Sequence, residues 1–177
     1  MEPDPPGVEL ENDPEDNVCF ACGPRNPAGL RMRFFDDGAW VRSRLVLDDR
    51  YSGGPGRVLD GIVFSAMDDT IWWAAWARWG ELAWVEEVES VRFGSVRTGE
   101  AFLVQARPVE NLGHAERWEA VVVQGTATVS RMQQRLRRRT DDEIRQQLAS
   151  PALPRSIRAE LEAALARRSA GALTRPI

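Results

Sequence analysis

Residues 58–79 read VLDGIVFSAMDDTIWWAAWARW, and the fold turns on how this stretch is placed. The run is apolar, contains no Pro, and is interrupted by two adjacent carboxylates, Asp68 and Asp69. At about 100° per residue, Gly61, Ser65, Asp68, Asp69, Trp72 and Trp76 share one arc of about 100°. The rest of the circumference carries Ile62, Val63, Phe64, Ala66, Met67, Ile71, Trp73, Ala74, Ala75 and Ala77. A helix apolar nearly all round is a buried one. The two acids and Arg78 within it, with no basic flanks, argue against a membrane span. A carboxylate buried in such a helix costs several kcal/mol, roughly, unless it is paired or hydrogen-bonded, so two of them require an explanation.

Working outward, Gly80 is placed to cap the C-terminus of the helix. Upstream, Gly53, Gly54, Pro55 and Gly56 form a loop in which the backbone lies close to its neighbours. Before that loop, residues 30–35 (LRMRFF) alternate apolar with Arg and residues 39–47 follow an Asp-Gly turn, which predicts two paired strands. Downstream, residues 82–95, 101–110 and 117–130 are strand-like runs, separated by turns at Arg97–Glu100 and Asn111–His114. Strands, one long buried helix and more strands make an α+β fold with a sheet on that helix.

The two ends differ from this middle. Residues 1–16 form an acidic, Pro-rich stretch that reads as a loosely packed tail. Residues 132–177 are highly charged, and Thr140-Asp141-Asp142-Glu143 is a capping box that starts a helix. Ile144, Leu148, Leu161 and Leu165 mark narrow apolar stripes, predicting two amphipathic helices that pack back or against a partner. The Arg135–Arg139 run is read as a solvated strand end leading into that helix, with phosphate or RNA attraction as the other reading. The division expected is thus a tail over 1–16, a domain over 17–131 and a helical extension over 132–177.

Composition narrows the function. The chain has 177 residues, 43% of them apolar and 28% charged, with a net charge of −4, which disfavours non-specific nucleic-acid binding. All 23 basic residues are Arg. The acidic N-terminus lacks the charge and apolar core of a signal peptide, so a cytoplasmic protein is expected. Cys19 and Cys22 are then reduced thiols in a tight turn. Zinc ordinarily takes four ligands, and the chain offers these two Cys and a distant His114, so no metal is expected unless a dimer completes the site. His114 itself, in a turn, reads as a surface residue.

These residues carry a resemblance. CFACGPRNPAGLRMRF (residues 19–34), a Gly/Pro loop, and a helix opening at Gly61 with Asp seven residues on resemble the hotdog-fold acyl-CoA thioesterases, in their PaaI-like and THEM-like branches. VRFGSVRTGEAFLVQA (91–106) is similar to their strand-turn-strand, and the likeness runs from about Asn17 to Met132. It implies an antiparallel sheet curled round the central helix, and a homodimer or dimer of dimers with sites at the protomer interface. It also implies an acyl-CoA or similar thioester substrate and no cofactor. In the family the helix begins at His-Gly-Gly, a backbone N–H there polarises the thioester carbonyl, and an acid seven residues after the second Gly is general base or nucleophile. Carried over, Gly61 is that second Gly and Asp68 that acid, with Gly61 and Ile62 as backbone donors. Ser65, Asp69, Trp72 and Trp76 then line the substrate pocket.

The sequence departs from the family at two positions, with Leu59 in the place of the His and Asp60 in that of the first Gly. Asp60 is expected as the N-cap of the helix, accepting from the N–H of Ile62 or Val63 and setting a rival anion beside the oxyanion position. That departure supports the alternative of a non-catalytic hotdog protein that binds an acyl thioester or aromatic ligand, with Asp68 and Asp69 paired to Arg. A hydratase would need a His on the helix, and there is none.

Overall fold

In a computed structural model of the chain, residues 3–12, 17–151, 153 and 155–170 are described. The end of the expected tail, residues 13–16, and the end of the expected helical extension, residues 171–177, lie outside them. The central helix, α1 (Asp60–Trp79), is preceded by five strands, β1 (Val8–Glu9), β2 (Phe35–Asp36), β3 (Val41–Val46), β4 (Ser52–Gly54) and β5 (Arg57–Val58). It is followed by β6 (Ala83–Arg92), β7 (Ala101–Asn111), β8 (Glu116–Gln124), β9 (Ala127–Arg138), α2 (Asp141–Leu148) and α3 (Arg155–Ser169). Seven strands form one antiparallel sheet in the order β1-β2-β3-β7-β8-β9-β6, while β4 and β5 pair as a separate hairpin. The inner face of the sheet packs on α1, whose Val63, Ala66, Met67, Ile71, Ala74 and Ala75 meet Val104, Ala106, Trp118, Ala120, Met132 and Leu136 in one apolar core.

Several elements differ from the sequence expectation, each for a local reason. The tail is not loose over residues 3–12: β1 pairs with β2, and Leu10 N–H donates to the Phe34 carbonyl at 2.8 Å. Residues 30–34 keep the alternation of buried Leu30, Met32 and Phe34 with exposed Arg31 and Arg33. Their backbone pairs with the cysteine turn, Leu30 N–H to Phe20 and Met32 N–H to Ala21, so only Phe35–Asp36 join the sheet. The single run expected over 117–130 is a hairpin, β8 and β9, turned at Gly125 with φ 61°. β9 then continues through Met132 to Arg138, so the change in composition near Met132 falls inside a strand.

β6 is an edge strand with two bulges, between Val85 and Glu87 and between Val88 and Ser90. Each bulge adds one residue, converting the ordinary spacing of two into three. Val85, Val88 and Val91 therefore all lie opposite the inward residues Leu136, Gln134 and Met132 of β9. They are 37–41% exposed, because nothing among the described residues covers this end of the inner face.

The predicted capping box is present, Thr140 accepting from Glu143 N–H while the Glu143 carboxylate accepts from Thr140 N–H. α2 and α3 pack back onto the chain. Ile144, Leu161 and Ala164 join Leu82 in a second apolar cluster that lies against Trp72 and Trp76 of α1. The Arg run is neutralised rather than free. Arg135 meets Glu86 and Glu87, Arg137 meets Glu86 and Glu143, and Arg138 meets Glu81. No helix among the described residues is long and apolar enough to cross a membrane.

Candidate active site

The structure puts the predicted site residues along the one side of α1 that the sheet leaves incompletely covered. Gly61 is exposed, and Ser65, Asp68, Asp69, Trp72 and Trp76 are half-buried, against the sealed face of Ala66, Met67, Ile71 and Ala75. The helical spacing thus groups the residues as expected, on the less sealed side of the helix.

The helix start departs from expectation. The N-cap is Leu59, which supplies no side-chain hydrogen bond, and Asp60 is the first residue inside the helix. Its carboxylate is held by the Arg57 guanidinium, not by the helix N–H groups. The N–H groups of Ile62 and Val63 both donate to the Leu59 carbonyl, at 2.9 and 3.2 Å, so Ile62 is not a free donor. That leaves the N–H groups of Asp60 and Gly61 as those the first turn cannot satisfy internally. Gly61 has open space where a side chain would stand. Ser65 is turned away from such a role, donating its hydroxyl to the Gly61 carbonyl at 2.9 Å.

Asp68 has a partner that the sequence reading missed. The amide Nε2 of Gln134, a fully buried residue of β9, donates to Asp68 Oδ1 at 2.6 Å. The amide orients the carboxylate without neutralising it. Had β9 been read past Met132, the inward alternation Ser130, Met132, Gln134, Leu136 would have singled out this polar residue in an apolar row.

Asp69, one position on, belongs to a different environment. It lies against the cysteine turn, with Cys19 Sγ 3.9 Å from its Oδ1. Burial, and then the charges of Cys19 and Asp68, push its carboxyl up to about 8. The Cys19 thiol is drawn down to about 5, chiefly by its hydrogen bond with Cys22 and then by the N–H groups of Cys22, Ala21 and Gly23. The same hydrogen bond, with burial and the charge of Asp69, pushes the Cys22 thiol up. Cys19 is exposed and Cys22 buried.

Trp72 and Trp76 pack against other elements of the chain. Both stand against the ring of Trp73, at 5.9 and 5.5 Å between centroids, and beneath α2 and α3. They close the far end of the helix face. A concavity of about 230 Å³ lies elsewhere, lined by Trp40, Ala74, Arg78, Arg107 and Trp118, and includes none of the predicted site residues.

Comparison with solved structures agrees with this architecture. The chain is similar to a thioesterase superfamily protein at a TM-score of 0.62 and 17% identity, over 69% of this chain and 61% of that one. It is similar to the E. coli PaaI protein from the phenylacetic acid degradation operon at 0.56 and 15%, over 63% of this chain and 81% of that one. A Streptococcus mutans protein bound to acetyl CoA matches at 0.54 and 14%, over 60% and 86%. No family model and no curated protein sequence matches the chain. The fold these structures share with the chain is the hotdog fold.

Proposed function

We propose that this protein hydrolyses an acyl thioester, of the acyl-CoA class, with Asp68 as general base or nucleophile. The observation that carries the reading is the Gln134–Asp68 pair, a carboxylate fixed in direction on the uncovered face of the helix. The free N–H of Gly61, at the positive end of α1, supplies the complementary element, a donor for the oxyanion that develops as the carbonyl is attacked.

Distance makes the site a shared one. Seven residues of α-helix rise span about 10 Å. One thioester carbonyl cannot then accept from Gly61 and also lie within about 3 Å of the Asp68 of the same helix. A second copy of the chain, placing its Gly61 beside this Asp68, removes the conflict. The exposed stripe Val85, Val88 and Val91, flanking Gln134, is the apolar surface available to such a homodimer.

The test is hydrolysis of a panel of short-chain, long-chain and aromatic acyl-CoAs by the full chain, with the protein's own thiols subtracted. Activity on some member that Asp68→Asn abolishes is the expected result. Equal activity in both proteins, or none on any member by a folded protein, overturns the reading. The second outcome favours a binding protein, in which Leu59 and Asp60, the latter paired with Arg57, replace the family's opening His and Gly.

A further inference from the structure

The acyl-transfer reading makes no use of the cysteine turn, which is nevertheless specifically built. Residues 19–23 read CFACG. Gly23 N–H donates to the Cys19 carbonyl at 2.9 Å, closing the turn. A Cβ on Gly23 would stand 2.4 Å from the Cys19 nitrogen, so the turn admits only Gly. Asn17 Nδ2 donates to Cys22 Sγ at 3.5 Å and to Asn12 Oδ1 at 2.8 Å, while Asn12 Nδ2 donates to the Cys22 carbonyl at 2.6 Å. The Asn17 amide at Cys22 Sγ is a donor of the kind that supports a metal ligand from its surroundings.

α1 delivers a third group to the same point. One ligand atom each from Cys19, Cys22 and Asp69 lie within 4.8 Å of one another. Asp69 Oδ2 is shut off from solvent and has no hydrogen-bond partner. A buried carboxylate oxygen without a donor is costly, and neither the fold nor the proposed hydrolysis accounts for it. In a tetrahedral site with sulfur ligands at about 2.3 Å and oxygen at about 2.0–2.2 Å, neighbouring ligand atoms are about 3.5–3.8 Å apart. The 3.9 Å between Cys19 Sγ and Asp69 Oδ1 is close to that spacing.

We propose that Cys19, Cys22 and Asp69 bind a zinc-class divalent cation that ties the N-terminal turn to the central helix. The two thiolates select a borderline-soft ion over magnesium or calcium. The exposure of Cys19 leaves the fourth position to water or a small ligand. The sequence alone disfavoured this site for want of ligands, because Asp69 is 47 residues from Cys22 and becomes a neighbour only through the fold.

The experiment is titration of the full chain, kept reduced with a phosphine, with cobalt(II) as the probe. The expected result is an intense near-ultraviolet thiolate-to-cobalt absorption that saturates at one ion per chain and is displaced by zinc. Asp69→Asn, which retains both thiols, should weaken cobalt binding at least about tenfold, the scale on which even a ligand's supporting partner acts. Cys19→Ser, altering the exposed thiol, should lose about half the absorption per bound ion, one of two thiolates having gone. No such absorption in the wild type, or equal affinity in wild type and Asp69→Asn, overturns the proposal.

Discussion

Gln134 is the residue on which the proposed chemistry depends without being part of it. A hydrogen bond to a charged group contributes about 1.5–3 kcal/mol, and each 1.36 kcal/mol on a barrier is a factor of about ten. Gln134→Leu, which retains bulk and removes the donor, should therefore lower kcat by roughly 10- to 100-fold with little change in KM. Steady-state kinetics on whichever acyl-CoA the wild type accepts gives the answer, and an unchanged kcat would mean that Asp68 needs no positioning. Residue by residue, the sequence showed the two acids together on α1 because a helix fixes which side chains share a face. It did not show Gln134, Cys19 or Cys22 beside those acids, because they come from segments whose distance along the chain carries no spatial information. It misplaced the N-cap by one residue as well: Asp60 has a cap's chemistry, but Arg57, three residues earlier, captures its carboxylate.

At the level of elements, α2 is held by a pair whose strength depends on pH. The Arg137 guanidinium, and then the N–H of Thr140, hold the Glu143 carboxyl down at about 2, against 4.5 for an unperturbed glutamate. A carboxyl depressed in the folded state adds stability above its unfolded value, and that stability is lost as pH falls through the folded one. Glu143→Gln should therefore lower the melting temperature near neutrality, and the gap from wild type should close between pH 4.5 and 2. Thermal unfolding followed by tryptophan fluorescence suits the measurement, since Trp72 and Trp76 lie under α2 and α3. A gap constant across that window would show that the ion pair does not anchor the helix. The capping box was readable because its residues are contiguous. The β8–β9 turn was not, because a lone Gly125 between a Val run and Thr-rich, β-favouring residues gives a weak signal, and the bulges of β6 disguise its period.

For the molecule as a whole, the uncovered end of the inner sheet face is the feature with the largest consequence for assembly. Charges placed there by Val88→Lys combined with Val91→Lys should convert the proposed dimer into a monomer and abolish the proposed hydrolysis together, with Asp68 and Gln134 intact. Light scattering and the hydrolysis assay report the two separately, and a double variant that stays dimeric would move the interface elsewhere. The outer face of the same sheet is of another kind. Glu119 bridges Arg107 and Arg131, and Glu89 bridges Arg117 and Arg135, which stand directly opposite each other on β8 and β9. β9 thus alternates Arg131, Gln133, Arg135 and Arg137 outward with Met132, Gln134 and Leu136 inward. A slip of one residue would drive guanidinium groups into the apolar core and turn the Asp68 partner out to solvent. The guanidinium–carboxylate lattice on the outside is in this sense a proofreader, rejecting every chain arrangement in which the inside would be assembled wrongly.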